Sequence, residues 1–182
     1  MDQATEFRLR TSSLRDFLDL TTEELNSFNS IAEMQGDTPF IRRTRIRVVF
    51  SCIEAHIFHL KSTAYAFSCV EPGNFSREEI LKLQDLRSDK TQGYVRAKIP
   101  LKENVSFAFA SFAKAFGRKY AINFSDSSGQ RFLSAVAIRD RITHPKAPSD
   151  WRISDKENSL IEAAWKWFGE HLVAVSKVAS GS

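Results

Sequence analysis

Glycine, proline, cysteine and histidine are all scarce: 7, 5, 2 and 4 residues respectively in a chain of 182. So few breakers argue against a fold of many short strands and tight turns, and favour long helices. Cys52 and Cys69 fall in one run of helical pattern. A continuous helix would hold them about 25 Å apart, too far for a disulfide, so both read as reduced packing residues. There is no cluster of Cys and His with ligand spacing, so no metal and no other cofactor is expected. No apolar run reaches the length of a membrane span. The segment Met1 to Arg10 is polar, without the apolar stretch of a signal peptide, so a cytoplasmic location without membrane association is expected.

What the chain has instead is phenylalanine, 15 residues of it, within a composition that is 42% hydrophobic and 26% charged. That balance belongs to a globular chain, and the length suits a single domain over residues 1–182. The formal charge of +4 permits a polyanionic partner without requiring one.

The apolar spacing is helical almost throughout. Leu14, Phe17, Leu18, Leu25, Phe28 and Ile31 predict one or two N-terminal helices, with Thr21-Thr22-Glu23-Glu24 in the form of a capping box at which a second one could start. After a break at Gly36-Asp37-Thr38-Pro39, apolar residues from Ile46 to Phe67 recur every three or four positions until Glu71-Pro72-Gly73-Asn74. Ser76-Arg77-Glu78-Glu79 is a second capping box, opening a shorter polar helix to about Arg87. Residues 88 to 99 are polar and carry no assignment. Pro100 suits a helix first turn, and Leu101, Val105, Phe109, Phe112 and Phe116 continue that helix. A further helix starts near Ser127 and must stop near His144, because Pro145 disfavours helical geometry in the residue before it. Ser154-Asp155-Lys156-Glu157 caps the last helix, which carries Ile161, Trp165, Phe168, Leu172 and Val175. No stretch alternates with period two. The expected fold is therefore all-α, an antiparallel up-and-down bundle of four long helices with one or two short ones.

One segment stands apart from this packing pattern, Arg139-Asp140-Arg141-Ile142-Thr143-His144-Pro145. On an unbroken helix Arg139 and His144 would be rotated by about 140° from each other. The helix end imposed by Pro145 frees His144 to leave the helical track and turn back towards Arg139. The segment resembles the motif of the HEPN superfamily: an Arg, a polar residue, a few further residues and a His. Arg139 and His144 match the two invariant places and Asp140 the polar one. The resemblance implies a helical bundle that forms a homodimer with two copies of the motif facing each other in a basic cleft. It also implies a metal-independent endoribonuclease, acting as a toxin or in antiviral defence, and open to control by an antitoxin or other regulatory partner protein. Some toxins of the family carry a Tyr two residues after the His, where a partner enzyme modifies it. Lys146 occupies that place here, which speaks against that form of control.

The residue types suit the implied chemistry. An imidazole can take the proton of an RNA 2′-hydroxyl or supply one to the leaving 5′-oxygen, and a guanidinium can hold the phosphate between them. Such a reaction leaves a 2′,3′-cyclic phosphate. Arg139 and His144 are the candidate catalytic pair, with Asp140 orienting one of them. Arg141 and Lys146 flank the motif as candidate RNA contacts, and Arg42, Arg43, Arg45 and Arg47, crowded at a helix start, are candidates to follow the phosphates. Glu54 reads either as a support that orients Arg139 from a neighbouring helix or as an ion-pairing residue at a bundle edge. His56 and His59 have half of a metal-pair spacing but no third ligand, and read as packing or surface residues. Two alternatives stay open: Arg139 as a solvated helix residue with His144 as a cap, and a helical module that binds RNA or a protein without cutting.

Overall fold

In the computed structural model, residues 3–71 and 73–181 are described, with side chains from Asp16 onward. The side chain of Leu14 and the whole of Pro72, both used in the sequence expectations, lie outside them, as does Met1. Among the described residues the chain is mainly helical. Its helices are α1 (Gln3–Gln35), α2 (Pro39–Val70), α3 (Arg77–Leu83), α4 (Leu101–Ala115), α5 (Ser127–Thr143) and α6 (Asp155–Ser180). They are accompanied by a two-stranded sheet, β1 (Leu86–Asp89) and β2 (Gly93–Arg96), and by a 3-10 turn at Pro148–Trp151. No helix among these residues is long and apolar enough to cross a membrane.

The chain packs as two compact units, each built from separate stretches. The first takes the described parts of residues 1–17, 56–122 and 173–182. Its core gathers Ala64, Phe75, Leu83 and Ala115, with Tyr65, Phe67, Ile80, Phe107 and Phe116 against them. Lys61 is buried there with its ammonium paired to Asp85 and donating to Asn104 Oδ1 at 3.1 Å. Only the Lys61 side is buried, so it is removal of Asp85 that would leave an ammonium without its carboxylate in the core. The sheet is antiparallel, with Leu86 opposite Arg96 and Asp89 opposite Gly93. Its turn is closed by Asp89, whose Oδ1 accepts from the Thr91 amide at 2.9 Å and the Gln92 amide at 3.1 Å. The Thr91 hydroxyl, which also donates to this oxygen, and then the two amides lower the pKa of the Asp89 carboxyl to about 2.

The second unit takes residues 18–55 and 123–172. Phe132 is fully buried in it, with Trp167 at 4.6 Å, Phe124 at 6.1 Å and Phe50 at 6.5 Å between ring centroids. Burying a ring of that size stabilises the unit by about 1.5–3 kcal/mol. A neighbouring cluster joins Phe28, Ala32 and Ile41 to Val48.

Two sequence expectations are corrected, and a hairpin is found that the sequence did not reveal. The helix α1 runs unbroken through Thr21-Thr22-Glu23-Glu24. Both threonine hydroxyls donate backwards to the Leu18 carbonyl, at 3.1 and 2.8 Å, which an interior residue does and a capping residue does not. The helix α3 ends at Leu83 and not near Arg87, because Asp85 takes a left-handed φ of 55° and turns the chain into β1. The hairpin itself has no apolar alternation to betray it. Its two strands of four residues are largely exposed, so turn chemistry, and not a buried face, defines it.

Candidate active site

The conspicuous segment ends α5, whose start is fixed by two contacts. Asp126 caps it, accepting from the Gly129 amide at 2.7 Å. Gly129 itself lies against the preceding loop, where a Cβ would sit 2.6 Å from the Asn123 carbonyl oxygen. From there Phe132, Ala135, Ile138 and Ile142 face inward at helical spacing. This leaves Arg139, Asp140, Thr143 and His144 on the outer side.

Arg139 is held by two carboxylates. One terminal nitrogen donates to Asp140 at 2.9 Å, and the other pairs with Glu54, which reaches it from α2. The Arg139 side chain is 28% exposed, so the guanidinium is oriented yet open to solvent. Two of its five N–H groups are engaged among the described residues, which leaves donors on the same guanidinium that could meet an anion. Glu54 is therefore the carboxylate that meets Arg139 from a neighbouring helix.

His144 is the C-cap of α5. Its amide donates to the Asp140 carbonyl at 3.0 Å, and its backbone departs from the helix at φ −126° and ψ 61°. The imidazole is exposed and makes no hydrogen bond or ion pair with another described residue. Pro145 ends the helix, but within this one chain His144 is not joined to Arg139. The Arg139 side chain is drawn towards Glu54 instead.

The flanking cations divide into two sets. Arg141 is committed to the architecture, pairing with Glu157 at 2.8 Å and donating to the Arg152 carbonyl at 3.0 Å. Glu157 also accepts from the Ser154 amide at 2.9 Å as part of the cap of α6. Burial works against the Glu157 carboxylate, but the bonds from Arg141 and Ser154 outweigh it and lower the pKa. Arg42 is likewise engaged, with Asp37, Asp155 at 2.6 Å and the Ile153 carbonyl. Arg45 pairs with Glu162 at 3.0 Å and Asn158 at 3.1 Å. By contrast, Arg43 and Arg47 have no carboxylate among the described residues, and the Lys146 side chain makes no ion pair there and is exposed. The loop after His144 is folded by Asp150, which accepts from the amides of Lys146 at 2.7 Å and Ala147 at 3.0 Å. Those two bonds lower the pKa of its carboxyl.

Trp151 has no role in the sequence reading, yet it lies in this region with Arg43 and Arg47 over its ring. Its signal was compositional only, an aromatic residue in a polar loop beside basic side chains. The paired histidines are elsewhere, in the first unit. His56 is buried, and His59 stacks on Phe17 at 4.0 Å. Among the described residues, no group of three or more His, Cys, Asp or Glu side chains has the geometry to hold a metal ion.

With Arg139 anchored and an exposed imidazole at the same helix end, the arrangement offers an anion-binding guanidinium and a proton carrier. Compared with family models, curated proteins and solved structures, the chain matches none.

Proposed function

We propose that the chain is a metal-independent endoribonuclease of the HEPN type, acting as a homodimer. In this reading the helices form an antiparallel up-and-down bundle, four long and one or two short. Arg139 binds the scissile phosphate and stabilises the charge that grows on its non-bridging oxygens. His144 carries the proton, either from the 2′-hydroxyl or to the leaving 5′-oxygen. The 2′-oxygen forms its bond to phosphorus as the bond from phosphorus to the 5′-oxygen breaks. The products are a 2′,3′-cyclic phosphate and a 5′-hydroxyl. DNA lacks the nucleophile and is not a substrate. Two subunits supply two imidazoles, one for each proton transfer. The site serves a toxin or an antiviral effector in the cytoplasm, held in check by a regulatory partner protein.

The observation that carries this reading is the pairing of Arg139 with both Glu54 and Asp140 at the exposed end of α5, the helix that His144 caps. Two carboxylates fix the guanidinium while leaving it open, as a phosphate-binding group requires. The test is incubation of the purified protein with single-stranded RNA in EDTA. Cleavage with cyclic-phosphate ends is expected, falling by at least about 100-fold in His144→Ala, the usual scale of acid–base catalysis. Intact RNA, or equal cutting by His144→Ala, removes the catalytic claim.

A second reading has its own support. The same two carboxylates neutralise Arg139, and Arg141 is sequestered by Glu157 and the Arg152 carbonyl. A module that binds RNA or a protein without cutting would carry the motif in this way. It predicts binding in the same assay with the RNA left whole.

A further inference from the structure

The four arginines at the start of α2 are not equivalent. Arg42 and Arg45 are tied to acidic partners, whereas Arg43 and Arg47 are directed at an aromatic ring. Their guanidinium carbons lie 5.1 and 5.7 Å from the centroid of Trp151, and that indole is 41% exposed. A large aromatic side chain that is not buried forgoes the stabilisation of burial. The backbone around this one is nevertheless held firmly. Arg43 donates to the Trp151 carbonyl at 3.3 Å, the Arg152 amide to the Ser149 carbonyl at 3.0 Å, and Arg141 to the next carbonyl, that of Arg152, at 3.0 Å. The ring is thus presented from a fixed turn.

Its place relative to the motif follows from helix geometry. Arg43, Arg47 and Glu54 are separated by one and then two turns of α2, so all three lie on one face of it. Glu54 holds Arg139. The distance along the axis from Arg47 to Glu54 is about 10 Å. The uncompensated cations, the exposed indole and the anchored guanidinium are therefore aligned along one face.

We propose that Trp151, over whose ring Arg43 and Arg47 reach from one face of α2, offers its exposed side as a stacking platform for an unpaired base of single-stranded RNA whose backbone continues to Arg139. An indole face stacks on any base, and cations beside it follow the phosphates. In a duplex the base faces are already covered by their neighbours, so the platform selects unpaired strands. This inference rests on the RNA reading of the motif and adds to it the form of the substrate and the residues that grip it.

The experiment separates grip from cutting by using an uncleavable ligand. A labelled twelve-nucleotide RNA with 2′-O-methyl sugars is titrated with the full chain and its anisotropy followed at several salt concentrations. Trp151→Ala is expected to weaken binding by about 5- to 150-fold with little change in salt dependence, as loss of one stacked base does. Trp151→Phe keeps a ring and should recover most of the affinity, which a merely structural role of the indole would not predict. The double variant Arg43→Ala/Arg47→Ala should lower the slope of log Kd against log salt by about 1.4, two phosphate contacts on a single strand. No binding by the wild type, unchanged affinity in Trp151→Ala, or equal affinity for a blunt duplex overturns the platform. Binding that depends on Trp151, in a protein that cuts no RNA, keeps the platform and removes catalysis. His144-dependent cutting with Trp151→Ala indistinguishable from wild type does the reverse.

Discussion

Single side chains in this protein show how burial and pairing override composition. His56 is 2% exposed, and burial, helped by the neighbouring His59, pushes its pKa down to about 4 from the usual 6.5. Between those values the unfolded chain binds a proton that the folded chain refuses, so stability is lost as pH falls from 6.5 towards 4. The full loss attributable to this residue is about 3 kcal/mol. His59 and His171 are also lowered by burial and act with the same sign. Urea denaturation at pH 7.5 and pH 5 should show the wild type losing more stability than His56→Gln. Parallel behaviour of the two proteins would mean that His56 charges freely in the folded state. At the same scale the motif was legible as letters but not as geometry. Arg139, Asp140 and His144 can be picked out by type and spacing. That Arg139 is drawn to Glu54, and that Arg141 is consumed by Glu157, depends on which helices adjoin, and this is not written in the local spacing.

The elements follow rules of differing visibility. Capping boxes at Ser76 and Ser154 were readable because three residues suffice to make each one. The same letters at Thr21 misled, since a threonine inside a helix can satisfy its hydroxyl on the preceding turn. The hairpin was invisible because its strands bury almost nothing. The α5 end at Thr143 was readable from Pro145, whereas its beginning depends on a contact that no pattern encodes, the approach of Gly129 to the Asn123 carbonyl. Gly129→Ala should therefore destabilise the protein by about 1–3 kcal/mol, although alanine is the better helix former. Thermal melting measures this, and a rise in Tm would show that the loop can yield.

At the scale of the whole molecule, the helical class came from the scarcity of breakers and the phenylalanine spacing, and the chain is mainly helical among its described residues. The division into two compact units had no counterpart in composition, because helices run through both without a linker. The proposed function places a second demand at this scale. One chain supplies a single His144 imidazole, which makes no hydrogen bond or ion pair among the described residues, and the proposed reaction uses two. Light scattering should give twice the mass of a single chain, and the cleavage rate per chain should fall on dilution through the dimer dissociation range. A monomer with full specific activity would remove the two-subunit site.

The cap that Asp150 places on the amides of Lys146 and Ala147 has a consequence in time. Loop amides normally trade their hydrogens with solvent at once, but these two must first break a bond to a carboxylate that stays charged well into acid. Lys146 follows the motif in an exposed loop and would otherwise invite trypsin. Ala147 is already extended, but the amides of Lys146 and Ala147 are tied to Asp150, and a protease must open those bonds before it can take the strand. A nick beside the motif would therefore report how often the Asp150 cap opens.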